Sequence, residues 1–384
     1  MNLHALLQAR QAAGIPIRVG LIGAGKFGTM FLAQARRTPG LHVMAIADLA
    51  PERAVAACER AGWPPEACAA AGFEAALKSG GAHITDDALA LIAAPGLDVV
   101  VEATGSPAAG TAHALAAFAN RRHVVMVTVE ADALAGPLLA RRAEQAGVVY
   151  SLAYGDQPAL IAELVDWARA AGFQVVCAGK GTKYLPAYHQ STPDTVWDHY
   201  GIAAADAAAG GMNPQMFNSF LDGSKSAIEM AAVANACDLS PPSAGLAFPP
   251  CGTGELAEML KPQSDGGILA HAGTVEVVSS EKRQGGAVPD DLRWGVYVTF
   301  AAPDDYVRRC FAEYGLATDQ SGHYAAMWKP YHLIGLELGI SVASAALRGE
   351  PTGTARNFNG DIAATAKRNL AAGETQPSGR NHMV

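Results

Sequence analysis

Apolar runs rich in Val, Ile and Leu alternate with Ala-rich amphipathic stretches through the first 178 residues of the chain. Such runs are typical of strands buried on both faces of a parallel sheet, and amphipathic stretches are typical of the helices that cover it. This alternation predicts an α/β fold with a doubly wound parallel sheet of the Rossmann type. The predicted strands lie at residues 19–22, 41–47, 96–105, 123–128, 148–151 and 173–178, and the clearest helices lie at 108–120, 136–145 and 158–171.

The pattern changes after the sixth predicted strand. Residues 179–200 are polar and aromatic, residues 212–237 have a helical pattern, and residues 240–267 are rich in Pro and Gly. Residues 273–278 and 294–300 predict antiparallel strands of a smaller α+β domain. We therefore expect a dinucleotide-binding Rossmann domain (1–178), an inserted α+β substrate domain (179–326), a helix at about 330–347 within a segment (327–350) that packs back on the first domain, and a C-terminal tail (351–384).

A glycine-rich turn follows the first predicted strand. Gly23, Gly25 and Gly28 form a Gly-x-Gly-x-x-Gly sequence directly before a helical pattern. In dinucleotide-binding proteins the first glycine permits the turn, the second lets the pyrophosphate approach the backbone, and the third lets helix and strand pack closely. The free N–H groups of the new helix then bind the phosphates. Asp48 ends the second strand twenty residues after Gly28, about where a carboxylate binds the adenosine ribose.

Further candidates lie at the carboxyl ends of the later strands. Thr104-Gly105-Ser106 forms a turn at the end of the strand at 96–105, and Thr128 ends the next strand. Ligands of open α/β sheets bind at this edge. The predicted cofactor-binding residues are therefore Gly23, Gly25, Lys26, Phe27, Gly28, Asp48, Thr104, Gly105, Ser106 and Thr128.

Composition narrows the classes of function. The 384 residues are 50% hydrophobic and 17% charged, with a net charge of −8. A nucleic-acid partner needs a surplus of Lys and Arg, which the chain lacks. We find no apolar run long enough to cross a membrane, no secretory leader, and no Cys-x-x-Cys spacing among the six cysteines. We therefore expect a cytoplasmic homodimer or larger homo-oligomer with reduced cysteines and a small-molecule substrate.

Two groups of polar residues stand out in a chain with so few charges. In the first, Lys180 and Lys183 are flanked by glycines at a strand exit and are followed by Tyr184, Tyr188 and His189. These lysines could bind an anion or donate a proton to a carbonyl oxygen. The alternative is a pair of solvated lysines on a surface loop.

The second group lies within residues 210–229. Its polar side chains recur at steps of four, three and four, which places them on one face if the segment is helical. They are Asn218, Asp222, Lys225 and Glu229. We interpret this stripe as part of an active site, and the alternative is a solvated helix face with local ion pairs.

Three carboxylates follow strand ends where a nicotinamide ring would lie. Glu130 and Asp132 come directly after Thr128, and Asp156 follows the strand at 148–151. Each could be a general base, a metal ligand or a helix N-cap, and the capping role is favoured for Asp132.

Several of these segments resemble the homoserine-dehydrogenase-like superfamily. Gly181-Thr182-Lys183-Tyr184-Leu185 is similar to its Gly-Thr-Thr-Asn-Tyr/Phe hinge, and residues 222–235 resemble its helix with an Asp and a Lys four residues apart. Here the corresponding pair is Lys225 and Glu229, in reversed order. The usual Thr-Ala-Asn-Lys after the fifth strand is replaced by Thr128-Val129-Glu130-Ala131-Asp132.

More closely, residues 149–158, 179–200 and 210–229 resemble the DXR-like branch, the second type of 1-deoxy-D-xylulose 5-phosphate reductoisomerase. The resemblance extends over nearly the entire chain. Members of this branch continue into a SAF-type C-terminal domain. Residues 363–374 resemble the opening of such a domain, so we expect most of it to be lacking.

The resemblance implies isomerisation of a phosphorylated ketose, a step of isoprenoid biosynthesis, followed by hydride transfer from NADPH to the new aldehyde. Such chemistry uses a cation near vicinal oxygens, a proton donor or acceptor, and a phosphate clamp. The implied cation ligands for Mg²⁺ or Mn²⁺ are Glu130, Asp156 and Glu229; the proton donor or acceptor is Lys183; the phosphate clamp is Lys180, Lys225 and Ser224; Asp222 completes the catalytic set.

The sequence leaves the cofactor and the reaction open. Asp48 repels a 2′-phosphate and favours NAD, whereas the resemblance implies NADPH, for which Arg53 could bind the phosphate. The leading interpretation is an NAD(P)-dependent oxidoreductase that acts on a small polar, phosphorylated hydroxy-carbonyl compound. The alternatives are a simple dehydrogenase of another hydroxy acid or sugar-derived substrate and a non-catalytic NAD(P) sensor.

Overall fold

The computed structural model describes residues 2–209, 212–366, 369 and 371–374. The helices are α1 (Leu3–Ala12), α2 (Lys26–Ala35), α3 (Pro51–Arg60), α4 (Phe73–Ser79), α5 (Ala88–Ala93), α6 (Pro107–Ala119), α7 (Val129–Ala146), α8 (Gln157–Ala170), α9 (Val196–Tyr200), α10 (Ala204–Ala209), α11 (Pro214–Leu221), α12 (Ser224–Cys237), α13 (Leu256–Met259), α14 (Asp305–Glu313) and α15 (Gly339–Arg348). The strands are β1 (Ile17–Ile22), β2 (Leu41–Ala47), β3 (His83–Thr85), β4 (Val99–Glu102), β5 (His123–Met126), β6 (Tyr150–Leu152), β7 (Gln174–Thr182), β8 (Thr274–Ser279), β9 (Val296–Ala301), β10 (Ala317–Thr318) and β11 (Tyr324–Lys329).

Two compact units make up the chain. Unit 1 consists of Met1–Glu163, Asn235–Cys237 and His332–Phe358, and unit 2 consists of Leu164–Ala234, Asp238–Tyr331 and Asn359–Val384. Each unit has its own sheet. None of the described helices is long and apolar enough to cross a membrane.

Unit 1 contains a six-stranded sheet in the order β3-β2-β1-β4-β5-β6, with every neighbouring pair parallel. This is the strand order of a Rossmann fold. Val99 and Val101 of β4 pack in one apolar cluster and Val100 packs in another. The strand is therefore buried on both faces, which explains its unbroken run of valines.

The last helix of unit 1 packs on this sheet, but it is shorter than the predicted helix at 330–347. The chain enters it through Gly335, whose φ is +70°, and a Cβ there would lie 2.6 Å from the Phe27 carbonyl oxygen. The positive φ interrupts the predicted helix at Gly335, and the close approach to α2 requires that this residue be glycine. In α15, Ser341 Oγ accepts a hydrogen bond from the Tyr154 N–H (2.8 Å) and donates one to the Leu152 carbonyl (3.2 Å).

Unit 2 contains a five-stranded mixed sheet in the order β10-β11-β9-β7-β8. The two strands predicted at 273–278 and 294–300 are β8 and β9, which lie on opposite sides of β7. Strand β8 is parallel to β7, whereas β9 is antiparallel to it. The parallel Rossmann sheet and the separate mixed sheet confirm the predicted fold class.

Strand β7 is longer than the strand predicted at 173–178, which placed Lys180 at the strand exit. It continues to Thr182, so that Lys180 lies inside the sheet. A Cβ at Gly179 would lie 1.8 Å from the Glu276 carbonyl oxygen, and one at Gly181 would lie 1.8 Å from the Leu292 carbonyl oxygen. These glycines therefore permit close backbone approach rather than a flexible loop.

The helical pattern at 212–237 forms two helices instead of one. Gly223, with φ +88°, separates α11 from α12. Asp222 stabilises the start of α12, since its Oδ1 accepts a hydrogen bond from the Ser224 N–H (3.0 Å). In the predicted SAF-like opening, Lys367, Arg368 and Leu370 lie outside the described residues, as do 375–384 and, before α11, Gly210 and Gly211.

Candidate active site

The glycine-rich turn of unit 1 has the geometry of a dinucleotide-binding loop. Gly23 has φ +99°, and a Cβ there would lie 2.5 Å from the Ala103 carbonyl oxygen. A Cβ at Gly28 would lie 2.5 Å from the Gly23 carbonyl oxygen, whereas one at Gly25 would meet nothing within 4 Å. The space over Gly25, at the N-terminus of α2, is therefore open, as the predicted approach of a pyrophosphate requires. Lys26 and Phe27 lie in the first turn of α2.

Asp48 lies after β2 and supports this turn. Its Oδ2 accepts a hydrogen bond from the Ala24 N–H (2.9 Å), and its Oδ1 accepts one from the Ala50 N–H (3.1 Å). Arg53 Nη1 lies 4.0 Å from Oδ1, and its side chain is exposed. The carboxylate that we expect at the ribose is therefore also a hydrogen-bond partner of the glycine-rich turn.

The predicted nicotinamide edge contains a buried carboxylate that the sequence reasoning missed. Glu102, the last residue of β4, is fully buried. Its carboxylate accepts hydrogen bonds from Thr104 Oγ1 (2.6 Å) and from Thr128 Oγ1. Gly105 donates to Thr128 Oγ1, and Ser106 begins α6 as its N-cap. The polar end of an otherwise apolar strand was the signal that could have identified Glu102.

The carboxylates after β5 and β6 have different surroundings. Glu130 and Asp132 lie in the first turn of α7, and Asp156 Oδ1 accepts a hydrogen bond from the Gln157 N–H (3.0 Å). Asp132 is not an N-cap: it is buried, and its Oδ1 accepts a hydrogen bond from Tyr150 Oη (2.8 Å). Burial raises the pKa of Asp132 to about 7, although the Tyr150 hydrogen bond opposes this shift.

Unit 2 brings together three of the predicted catalytic residues. Lys180 on β7 forms a hydrogen-bonded ion pair with Glu229 on α12, and Lys225 Nζ lies 3.9 Å from Glu229 Oε1. Lys180 is 4% exposed and Glu229 is 2% exposed. The face predicted as a polar stripe is therefore buried, which excludes the alternative of a solvated helix surface.

Asp222 belongs to a neighbouring hydrogen-bonded chain. Ser191 Oγ donates to Asn218 Oδ1 (2.7 Å), and Asn218 Nδ2 donates to Asp222 Oδ2 (3.0 Å). Ser224 donates to the other carboxylate oxygen of Asp222 through its hydroxyl as well as its N–H. This chain joins the end of α11 to the start of α12, although the two helices are not continuous.

Lys183 lies at a separate place in unit 2. Its Nζ donates to the His199 carbonyl oxygen (2.8 Å) and lies 3.2 Å from Glu281 Oε1. The same ammonium lies 5.8 Å from the ring centroids of both Tyr188 and Tyr200. Glu281 was not predicted, because it is distant in sequence and lies in a polar stretch without a distinctive spacing.

Tyr184 and His189, the other members of that predicted group, form a pair. Tyr184 Oη lies 2.8 Å from His189 Nε2, and its ring stacks on Phe248 with the centroids 4.0 Å apart. Burial raises the pKa of Tyr184, while Arg283 opposes that shift.

Among the described residues, no group of three or more His, Cys, Asp or Glu side chains is arranged to hold a metal ion. Of the implied cation ligands, Glu130 and Asp156 belong to unit 1 and Glu229 belongs to unit 2. The divalent cation therefore stays a prediction.

Two family models match this chain. Residues 17–152 match an oxidoreductase family with an NAD-binding Rossmann fold, and residues 155–338 match the catalytic domain of oxidoreductase DRL. No curated protein gave a significant match.

Solved structures with similar segments include three oxidoreductases. An NAD-binding oxidoreductase from Klebsiella pneumoniae is 21% identical, with 46% of this chain and 45% of that one covered and a TM-score of 0.33. A myo-inositol dehydrogenase from Lactobacillus casei, in complex with NAD(H) and myo-inositol, is 16% identical, with 47% and 50% covered and a TM-score of 0.33. A biliverdin reductase from Synechocystis sp. PCC 6803, in complex with biliverdin and NADP⁺, is 18% identical, with 44% and 48% covered and a TM-score of 0.31.

The chain spans about half the length of these structures, and TM-scores this low do not support an argument about function. The assignment rests on the two family models, which do not identify a substrate. The homoserine-dehydrogenase-like and DXR-like resemblance therefore stays a prediction, whereas the predicted enzyme class is confirmed. Residues 17–152 are thus similar to an NAD-binding Rossmann oxidoreductase family, and residues 155–338 are similar to an oxidoreductase catalytic domain, which is the class of enzyme that the sequence predicts.

Proposed function

We propose that this oxidoreductase acts on a small phosphorylated hydroxy-carbonyl compound, as a reductoisomerase of the DXR-like type with 1-deoxy-D-xylulose 5-phosphate as substrate. The observation that supports this most is the buried group Lys180–Glu229–Lys225, in which two ammonium groups share one carboxylate. Ammonium groups of this kind suit an anionic substrate, because they donate strong hydrogen bonds to phosphate and carboxylate oxygens.

Lys180 is the proposed proton donor to the substrate carbonyl oxygen. Its ammonium is hydrogen-bonded to Glu229, which orients it. In a buried site such a donor stabilises developing negative charge more than it would in water.

Lys225 is the proposed phosphate ligand. Its side chain is 14% exposed, more than that of Lys180, and it lies in the first turn of α12. The N–H groups and the positive end of this helix also favour an anion. Ser224 and Asp222 fix the start of the helix and so orient Lys225.

Lys183 is proposed as a positioning residue, in place of the proton donor suggested by the resemblance. Its ammonium is held by a carbonyl oxygen, a carboxylate and two aromatic rings. Releasing it to a substrate would break all of these contacts.

The proposed cofactor site is the glycine-rich turn with Asp48 and the turn at Thr104–Ser106. When bound there, the dinucleotide supplies or accepts the hydride. Asp48 favours the free ribose hydroxyls of NAD, and the exposed Arg53 offers a cation for the 2′-phosphate of NADP. A contact from Asp48 to the ribose would favour NAD, and a contact from Arg53 to the 2′-phosphate would favour NADP.

A substrate panel tests the proposal. The purified full chain is mixed with NADPH or NADH and with 1-deoxy-D-xylulose 5-phosphate, its dephosphorylated form, or aspartate semialdehyde, each with and without Mg²⁺ or Mn²⁺. We expect oxidation of the reduced cofactor with the phosphorylated ketose and much less with its dephosphorylated form. Turnover of the semialdehyde alone would support a simple dehydrogenase instead. Cofactor binding without turnover of any compound would favour a sensor.

A further inference from the structure

Glu102 joins two parts of the predicted cofactor edge in unit 1. It ends β4, next to Ile22 at the end of β1 and Met126 at the end of β5. The turn Thr104–Ser106 follows it directly in sequence, and Thr128 lies just after β5. Both threonine hydroxyls donate to its carboxylate.

The protons of these hydroxyls have a fixed direction. A threonine hydroxyl has one proton, so a hydroxyl that donates to a carboxylate must accept from any other partner. Thr128 Oγ1 accepts from the Gly105 N–H (2.9 Å), and Thr104 Oγ1 accepts from the Ser106 N–H (3.2 Å). The negative charge of Glu102 therefore sets the orientation of two peptide groups of the turn.

The carboxylate is enclosed by the elements around it. His113 Nδ1 on α6 lies 3.2 Å from Glu102 Oε1, and a Cβ at Gly110 would lie 3.2 Å from Oε2. Glu102 is 0% exposed, so its charge is stabilised by these donors rather than by water. Burial of a carboxylate at this position demands a complete set of donors, which the two threonines and His113 provide.

We propose that Glu102 is a positioning residue for the dinucleotide: it holds the Thr104–Ser106 turn and Thr128 in the arrangement that binds the nicotinamide end. This inference rests on the proposed assignment of those residues to the cofactor. The negative charge of Glu102 has a second effect. The nicotinamide ring is positively charged when oxidised and neutral when reduced, so a buried anion in the same unit favours the oxidised form.

The test compares Glu102→Gln with the wild type by titration of NAD⁺, NADH, NADP⁺ and NADPH without substrate. The amide group of Gln has the same shape but donates where the carboxylate accepts. We expect the dissociation constants to rise by about 10- to 100-fold, as for a lost hydrogen bond to a charged group, and to rise more for the oxidised than for the reduced forms.

Glu276→Gln is the matched control. Glu276 is also a buried strand carboxylate, and it accepts hydrogen bonds from the N–H groups of Ala247 (3.0 Å) and Phe248 (3.2 Å) in unit 2. Its replacement lowers thermal stability but leaves cofactor affinity unchanged. A folded Glu102→Gln protein that binds all four dinucleotides like the wild type overturns the inference. An equal loss for oxidised and reduced forms supports the positioning role and overturns the effect of the charge.

Thr128→Val and Thr128→Ser keep the inference testable if Glu102→Gln does not fold. Valine keeps the shape but removes the hydroxyl between Glu102 and Gly105, whereas serine retains it. We expect weaker binding for the valine variant and near wild-type binding for serine. Equal affinities for both variants overturn the inference. A wild-type protein that binds no dinucleotide overturns the proposed function together with it.

Discussion

Two buried lysines among the described residues of unit 2 differ in their ion-pair partners. Lys180 and Lys261 are each 4% exposed. Lys180 shares the carboxylate of Glu229 with Lys225, whereas Lys261 has two carboxylates, Glu258 and Asp319, each 2.9 Å from its Nζ. In one group two ammonium groups lie beside one carboxylate, and in the other two carboxylates lie beside one ammonium group.

The carboxylates of the Lys261 group also accept hydrogen bonds from other residues of unit 2. Asp319 also accepts from the Tyr324 N–H (3.1 Å) and from Ser321, and Glu258 accepts from the Gln320 N–H (2.8 Å). Burial opposes ionisation of Asp319, but the hydrogen bonds from Lys261, Tyr324 and Ser321 outweigh it and lower its pKa. The two carboxylates of the Lys261 group are therefore held by hydrogen bonds to neighbouring backbone, whereas the carboxylate of the Lys180 group lies beside two ammonium groups.

The largest expected effect is on stability, from Lys261→Met. Removal of this cation leaves Asp319 buried without its charge partner, at an expected cost of about 3–5 kcal/mol in the free energy of unfolding. Denaturant unfolding measures it, with Lys78→Met as the control, because Lys78 pairs with Glu74 on the surface. Activity per folded molecule should stay near the wild-type value. A Lys261→Met protein as stable as the wild type would contradict the structural role that distinguishes the Lys261 group from the Lys180 group.

Lys180→Met should have the largest effect on catalysis. We expect kcat to fall by about 10³-fold, the range for a lost general acid, because the proposed proton donor is removed. Glu229 keeps Lys225 as a neighbour, so the loss of stability should be smaller than for Lys261→Met. Steady-state kinetics and cofactor titration measure this effect, and cofactor affinity should be unchanged. Wild-type kcat in this variant would contradict the role of Lys180.

Asp132 extends the comparison to a buried carboxylate in unit 1 without a cation. Its Oδ2 has no hydrogen-bond partner among the described residues. Its native pKa of about 7 exceeds the value of about 4 expected in the unfolded chain, so stability falls as pH rises between these values and levels off above pH 7.

Asp132→Asn should remove this pH dependence. Relative to the wild type, the variant should gain about 4 kcal/mol in the free energy of unfolding between pH 4 and pH 8. Thermal unfolding at several pH values measures it. Parallel pH profiles for both proteins would mean that Asp132 titrates normally.

The smallest effect is expected for Lys225→Gln. Lys225 lies at the more exposed side of the Lys180 group and contacts Glu229 at 3.9 Å. We expect KM for the phosphorylated substrate to rise about 10-fold with little change in kcat, as for a lost contact of uniform binding. The dephosphorylated substrate should be turned over equally by variant and wild type. An equal loss with both substrates would contradict a phosphate contact.

Residues near the glycine-rich turn were the most predictable from sequence. Gly23 and Gly28 are required by local backbone geometry, and that requirement recurs in the same spacing wherever a dinucleotide is bound. Asp48 was predictable for the same reason. In these cases the chemistry and the local fold depend on residues close together in the chain.

Other features of the fold and the site depended on contacts between residues that are distant in sequence. Lys180 was placed at the strand exit rather than inside the strand because its neighbours are glycines, although those glycines allow the backbones at Glu276 and Leu292 to approach β7. The break at Gly223 was missed because the polar residues on both sides keep helical spacing. Glu102 was missed because a single acidic residue at the end of a valine run gives no sign of its hydroxyl partners.

The burial of the Lys180–Glu229 pair has a consequence for inhibitor kinetics. Since Lys180 is 4% exposed and Glu229 is 2% exposed, an anionic inhibitor aimed at this pair must wait for the surrounding structure to open. Association of the inhibitor would then be limited by the frequency of opening rather than by diffusion. Dissociation would require the same opening. Residence time, rather than equilibrium potency, would be the useful measure for ranking such compounds.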